Sequence, residues 1–299
     1  MTDVAAHDIL TAACEQVGLD AGDAQLLRAH SNAVWLLPRS SAVVRIGRNQ
    51  HEGLRFAAGV TLTRWLAEHD IPVTEPLTDR VVDIDDATVT LWRYYPQHDR
   101  GEPPMRDLGT ILRRLHTLTD PVPVELHAYP PLEGLTTILA SQTARQVLDP
   151  DDLTWLSDRA TELLHRYEGL EFALGVGFIH GDFYAGNCLW DGDRVVLGDW
   201  DEASIGPREL DLIPSCHDHF RFGAPAEDLA QFFREYGLDL EEFRSRPVFS
   251  VLIAMRDLHT LTGYIRRAAG DDRAAARELH RRLGMLRNPA MANEPWHGM

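Results

Sequence analysis

The chain has no lysine: all 29 of its basic residues are arginine, set against 46 acidic residues in a length of 299. That absence excludes a lysine Schiff base, a lysine general base and the lysine of a Walker A loop. The arginine bias itself has an ordinary source in a GC-rich genome. Cysteine is scarce as well. Cys14, Cys188 and Cys216 form no CxxC pair and are too few for a disulfide framework. No run of about 18 apolar residues is present, so no membrane-spanning helix is expected. The start Met1-Thr2-Asp3-Val4 lacks the basic and apolar stretches of a signal peptide. Together these features predict a protein of the reducing cytoplasm. Positive charge is short overall, with a formal net charge of −17. Nucleic acid and anionic membranes attract basic excess, so neither is an expected partner.

The remaining composition is ordinary for a globular chain, with 44% hydrophobic and 25% charged residues. Its length allows one large domain or two lobes. Helical spacing of apolar residues predicts a helix over 3–19 and a second over 53–69. Short strand-like runs lie at 33–37 and 42–46, around a Pro38–Ser41 turn, and again at 80–84 and 88–94. Residues 96–104 are polar, with glycine and proline, and read as a connector. Helical patterns follow at 105–118, 135–146 and 152–168; a β-rich interlude at 177–200 interrupts them, and helices resume to the end. The order is a small β lobe with one long helix, then a larger helical lobe. It does not alternate β and α, which argues against a Rossmann fold.

The chemistry-bearing stretch runs Phe178-Ile179-His180-Gly181-Asp182-Phe183-Tyr184-Ala185-Gly186-Asn187-Cys188-Leu189-Trp190, and Val195-Val196-Leu197 then leads into Gly198-Asp199-Trp200. Asp182, Asn187 and Asp199 therefore fall at or beside the ends of short strands. Phosphoryl transfer suits these residue types. Mg²⁺ takes hard oxygen ligands, which a carboxylate and an amide supply. A further carboxylate can orient an acceptor hydroxyl and take its proton. The alternative is that these groups only shape the loop.

His-Gly-Asp-x-x-x-x-Asn followed by Gly-Asp-Trp resembles the signature of the aminoglycoside phosphotransferase and choline kinase superfamily. The stretch Asp199-Trp200-Asp201-Glu202-Ala203-Ser204-Ile205-Gly206-Pro207-Arg208-Glu209-Leu210-Asp211-Leu212 is similar to that family as well. The resemblance extends over about residues 25–265 and implies an α+β, bilobal, protein-kinase-like fold. A nucleotide-binding lobe would span 1–95, and a catalytic and acceptor-binding lobe 96–299. It implies ATP and Mg²⁺ as cofactors, with Asp182 as the catalytic aspartate and Asn187 and Asp199 as metal ligands. His180 would support the loop, and Asp211 would hold loop amides.

In the small lobe, the resemblance puts Arg45, within Val43-Val44-Arg45-Ile46, where the family's phosphate-gripping cation stands. Arginine is a good phosphate partner; a surface arginine on an edge strand is the other reading. Ser31 and Asn32 match the turn that covers the phosphates. The helix glutamate that pairs with the cation has no counterpart at Gly59, while Glu52 lies two turns earlier. Leu91-Trp92-Arg93-Tyr94-Tyr95 resembles the strand entering the hinge, so backbone groups near Arg93 and Tyr95 would meet the adenine. Trp92 and Tyr94 serve equally as packing between lobes.

Residues 199–242 carry 12 acidic and 3 basic residues, whereas 243–299 carry 5 and 10. The acidic block falls where the resemblance places an acceptor, so a cationic acceptor fits, with Asp201, Glu202 and Asp218 as candidate contacts. Most other carboxylates there read as solvated helix faces. Cys216-His217-Asp218-His219 lacks the second pair of a zinc site and reads as a pocket rim or packed histidine. Two functions follow. One is an ATP- and Mg-dependent kinase for a hydroxyl of an amino sugar, aminoglycoside-like compound or amino alcohol. The other is a non-catalytic, kinase-like binding module. Superfamily members act on aminoglycosides, choline, homoserine, sugars and macrolides, so the acceptor stays open.

Overall fold

The structure, a computed structural model, describes residues 3–29, 33–47, 50–97, 100–288 and 295–297, the side chains of 3–5, 29 and 50–53 excepted. It forms an α+β fold of two compact units. One comprises residues 1–103, 117–127 and 185–203, the other 104–116, 128–184 and 204–299.

The first unit opens with α1 (Asp3–Val17), β1 (Gln25–Ala29), β2 (Ala33–Leu37) and β3 (Ala42–Gly47). Then come α2 (Gln50–Glu68), β4 (Val82–Ile84) and β5 (Ala87–Arg93). The five strands make one antiparallel sheet in the order β1-β2-β3-β5-β4. Alternation decides which face is buried. Ala33, Trp35 and Leu37 of β2, Ala42, Val44 and Ile46 of β3, and Val89 and Leu91 of β5 form one core with Ile9, Leu10, Ala13 and Cys14 of α1. Each fully buried leucine or isoleucine there contributes about 1.5–3 kcal/mol. The same alternation turns Arg45 to the opposite face, level with Thr90 on β5. β3 is flanked by β2 and β5, so Arg45 stands on a central strand and not on an edge.

The second unit is mostly helical: α3 (Met105–His116), α4 (Glu133–Ala140), α5 (Gln142–Val147) and α6 (Pro150–Glu168) precede β6 (Val176–Ile179). β7 (Cys188–Asp191) and β8 (Arg194–Leu197) form a hairpin that belongs to the first unit. β9 (Ser204–Pro207) then pairs antiparallel with β6. α7 (Ile213–Phe222), α8 (Ala226–Tyr236), α9 (Leu240–Ser245), α10 (Pro247–Ala269) and α11 (Arg273–Arg287) complete the chain. α10 starts on a proline, whose missing N–H costs nothing at a first turn. Its buried face, including Val251, Leu252, Met255, Leu258, Leu261 and Ile265, packs against α4, α5, α6, α7, α9 and α11. α3 lies against α8, with Gly109 so close that a Cβ there would stand 2.3 Å from the Phe232 carbonyl oxygen.

Among the described residues no helix is long and apolar enough to cross a membrane. The three cysteines are free and buried, and burial pushes the thiols of Cys14 and Cys188 up to about 11 and about 12. At neutral pH they are apolar filling and not nucleophiles.

Candidate active site

The motif residues divide between the two units. His180, Gly181 and Asp182 belong to the second, Asn187 and Asp199 to the first.

In the second unit β6 ends at Ile179 and the chain turns sharply at Gly181, whose φ of 89° a residue with a Cβ rarely adopts. The turn is held by Asp211, from the 3-10 turn Arg208–Leu212, whose side chain is completely buried. The His180 amide donates to Asp211 Oδ2 at 2.8 Å and the Gly181 amide to Oδ1 at 2.7 Å. His116 Nε2 donates to Oδ2 at 3.0 Å, and His116 Nδ1 is hydrogen-bonded to the Tyr236 hydroxyl at 2.8 Å. A buried carboxylate is stable only when its lone pairs are satisfied in this way. His180 is itself buried, and its Nδ1 accepts from the Asp182 amide at 3.3 Å.

Asp182 projects from this loop toward α10. Arg256 Nη2 donates to Asp182 Oδ1 at 2.6 Å. Burial pushes the Asp182 carboxyl up, but the Arg256 guanidinium, with His180 and His259 nearby, holds it below the usual carboxylate range. His259 lies one turn further along α10. Desolvation and Arg256 push its imidazole down to about 4, although solvent still reaches the ring. It is neutral at pH 7.

In the first unit the β7–β8 hairpin pairs Cys188 with Leu197, so the residues just outside it come together. The Gly198 amide donates to the Asn187 carbonyl at 2.9 Å, and Asn187 therefore neighbours Gly198-Asp199. Gly198 is tightly packed: a Cβ there would stand 3.0 Å from Thr74 Cγ2, which would have to give way. Asp199 sits in the left-handed region at φ 58°, an uncommon state for a residue with a side chain, and its carboxylate is 48% exposed. Strain of this kind collects at functional positions. Arg45 reaches across from the sheet. Its Nη2 donates to Asp201 Oδ2 at 2.6 Å and its Nη1 lies 3.9 Å from Asp199 Oδ1. Phe56 of α2 lies under the guanidinium, 4.8 Å from ring centroid to Cζ. Asp201, an acceptor candidate by sequence, is thus bonded to Arg45. The 3-10 turn Trp200–Glu202 brings it there.

A carboxylate and an amide oxygen at one hairpin mouth are the hard donors that Mg²⁺ prefers, and that ion fills its other positions with water and phosphate oxygens. The donor set therefore fits a magnesium ion at Asn187 and Asp199. Among the described residues no group of three or more His, Cys, Asp or Glu side chains could hold a metal, which covers Cys216-His217-Asp218-His219. Cys216 is buried, and His217 faces Asp257 at 3.3 Å.

At the end of β5, the Arg93 amide donates to the Glu75 carbonyl at 2.9 Å, and the Arg93 side chain donates to Asp191 at 2.7 Å. The Tyr95 hydroxyl accepts from the Glu75 amide at 3.0 Å, and Gln97 Nε2 donates to the Tyr95 carbonyl at 2.8 Å. Gln97 also bonds both the amide and the carbonyl of Trp190. Ser31 and Asn32 lie outside the described residues, as does the side chain of Glu52. Glu202 is exposed, and Asp218 lies half-buried on α7, where its backbone carbonyl accepts from the Gly223 amide. Sequence reasoning missed Arg256, His116 and Gln97. None of them stands in a motif; each meets its partner only through folding.

The profile of the phosphotransferase enzyme family (APH) matches residues 23–246. The chain belongs to this family. It is accordingly a kinase-type phosphotransferase. No curated protein matches the sequence significantly. Among solved structures, amicoumacin kinase in complex with AMP-PNP, Ca²⁺ and amicoumacin is similar at 14% identity. It superposes with a TM-score of 0.71, covering 99% of this chain and 98% of that one. A choline/ethanolamine kinase family protein from Mesorhizobium loti is similar at 18% identity and TM-score 0.63, covering 98% and 97%. Aminoglycoside phosphotransferase APH(3'')-Id from Streptomyces rimosus, in complex with ADP and streptomycin, is similar at 18% identity and TM-score 0.61, covering 87% and 99%. At these identities the likeness establishes the fold, the protein-kinase-like α+β architecture of the phosphotransferase family.

Proposed function

We propose that this phosphotransferase moves the γ-phosphoryl group of ATP, with Mg²⁺, to a hydroxyl of an amino sugar, aminoglycoside-like compound or amino alcohol. The observation that carries the reading is the Asp182 loop, tied at two consecutive amides to the buried Asp211 carboxylate. A loop pinned this firmly holds the backbone that carries Asp182 in one place, which is what a positioned base requires.

In this reading residues 1–95 form the nucleotide lobe and 96–299 the catalytic and acceptor lobe. Asp182 orients the acceptor hydroxyl and takes its proton. Asn187 and Asp199 would hold the magnesium, which when bound screens the phosphate charge. Arg45 grips the phosphates, its guanidinium supported below by Phe56. Ser31 and Asn32 cover the phosphates, and backbone at Arg93 and Tyr95 meets the adenine. His180 and Asp211 shape the loop. Glu202 and Asp218 are candidate contacts for a cationic group of the acceptor. Asp201, to which Arg45 donates at 2.6 Å, is a third candidate. The cytoplasm is the proposed location.

The test is ADP release from Mg-ATP over a panel of amino sugars, aminoglycosides, choline and amino alcohols. Asp182→Ala is expected to abolish turnover while leaving Mg-ATP binding nearly intact, and Asp199→Ala to weaken Mg-ATP binding itself. Wild-type turnover in Asp182→Ala would sink the assignment. No Mg-ATP binding by the native protein would favour the non-catalytic module.

A further inference from the structure

We propose that Arg256 is a positioning residue for phosphoryl transfer: its guanidinium holds Oδ1 of Asp182 and so sets how that carboxylate meets the acceptor hydroxyl. The inference rests on the reading of Asp182 as the base.

Both ends of the contact are rigid. On the loop side, Asp211 fixes the backbone on either side of the His180–Gly181 peptide. On the helix side, the residue after Arg256 is clamped. Asp257 accepts from Arg221 Nε at 2.7 Å and Nη2 at 2.5 Å, with His217 Nε2 at 3.3 Å. Arg221 in turn lies against Trp296, 5.2 Å from the ring centroid, and its carbonyl accepts from the Trp296 amide. The rotation and height of α10 are thereby set beside Arg256. The 2.6 Å bond to Arg256 restrains the rotation of the Asp182 side chain.

The energetics favour an orienting role over a stabilising one. Arg256 is 17% exposed and Asp182 29%. A half-buried pair loses hydration on both sides and gains little net stability. A planar guanidinium does, however, dictate where a carboxylate oxygen lies. Arg256 and His259 from α10 and His180 from its own loop face Asp182, and together they hold its carboxyl below the usual carboxylate range. The carboxylate therefore stays ionised and is a weak base. That suits a loose phosphoryl-transfer transition state, in which the hydroxyl proton leaves late and the aim of the carboxylate counts for more than its basicity.

The test compares Arg256→Ala and Arg256→Lys with wild type and Asp182→Ala in two measurements. The first is Mg-ATP-dependent turnover on the acceptors that support ADP release. Arg256→Ala is expected to lower kcat by roughly 10²-fold, the scale of a misplaced catalytic group, with KM for ATP unchanged within about twofold. Arg256→Lys keeps the charge without the fork and should recover part of the loss. The second needs no acceptor: titration of the Asp182 carboxyl by NMR in protein carrying carboxyl-labelled aspartate, with Asp182→Asn to assign the signal. The titration should move up in Arg256→Ala and stay low in Arg256→Lys. If Arg256→Ala fails to fold, Arg256→Lys decides by its kcat, and a wild-type value refutes orientation by the planar fork. Wild-type kcat and an unmoved titration in Arg256→Ala, with Asp182→Ala inactive, overturn the positioning role and leave the base assignment standing. Turnover in Asp182→Ala overturns the base assignment itself.

Discussion

Asp211 offers the sharpest link between stability and activity. Its side chain is wholly buried and accepts three hydrogen bonds, from the His180 and Gly181 amides and from His116 Nε2. Asp211→Ala strands all three donors in a buried site. Each buried, unsatisfied donor costs about 1–3 kcal/mol, so the substitution should remove about 3–9 kcal/mol. A domain has about 5–15 kcal/mol in total, so the loss is a large part of it. Asp211→Asn keeps one acceptor oxygen. If that oxygen takes the place of Oδ2 it still serves His180 and His116, and only the Gly181 amide meets an N–H. The asparagine variant should therefore lose about 1–3 kcal/mol. Urea unfolding followed by circular dichroism gives the midpoints and slopes. The expected order is wild type, then Asp211→Asn, then Asp211→Ala, with turnover falling in the same order because the loop carrying Asp182 slackens. An alanine variant within about 1 kcal/mol of wild type would mean that the loop amides find other acceptors, and the reasoning would fail.

Gly109→Ala places a methyl group 2.3 Å from the Phe232 carbonyl oxygen, which must open the α3–α8 contact. The gain in helix propensity, about 1 kcal/mol, is smaller than the strain, so Tm should drop by roughly 2–8 °C in a thermal melt, and an unchanged Tm would refute the close contact. Glu278 is pushed up by burial, but bonds from Arg281, Arg282 and the His297 amide outweigh this and hold it at about 2. Its folded pKa is depressed, so its share of stability is present above the unfolded value near 4.3 and is lost as pH falls toward 2. That share is about 2–3 kcal/mol. The stability difference between wild type and Glu278→Gln should shrink across that window, and a difference constant with pH would contradict the pairing.

Elements with strong local patterns were legible from residues alone. β2, β3, β5 and α2 follow from alternation or helical spacing. β1 was missed because Gln25-Leu26-Leu27-Arg28-Ala29 has no alternation, and Leu26 and Leu27 stay exposed on an edge strand. β9, with Gly206 and Pro207, becomes a strand only by pairing with β6. The stretch read as one helix over 135–146 is two helices, α4 and α5, parted at Ser141. Its backbone is extended at φ −85° and ψ 168°, and its hydroxyl donates to the Ile138 carbonyl at 2.6 Å. No glycine or proline marks that break.

The amino-acid sequence alone determined the chemistry available. The His180-Gly181-Asp182 turn, the spacing to Asn187 and the Gly198-Asp199 pair are local, because strand ends and tight turns are written in adjacent residues. The absence of lysine likewise leaves arginine as the permanently charged cation that can grip a phosphate. Tertiary structure alone decided who meets whom. Arg256 reaches Asp182 from 74 residues away, and Arg45 reaches Asp201 across 156. Such ion pairs leave no periodic trace, because a charged residue on a helix or strand looks the same in sequence whether water or a carboxylate awaits it. The packing of apolar faces sets α10 and β3 in place, and that placement turns two ordinary arginines into neighbours of the aspartates.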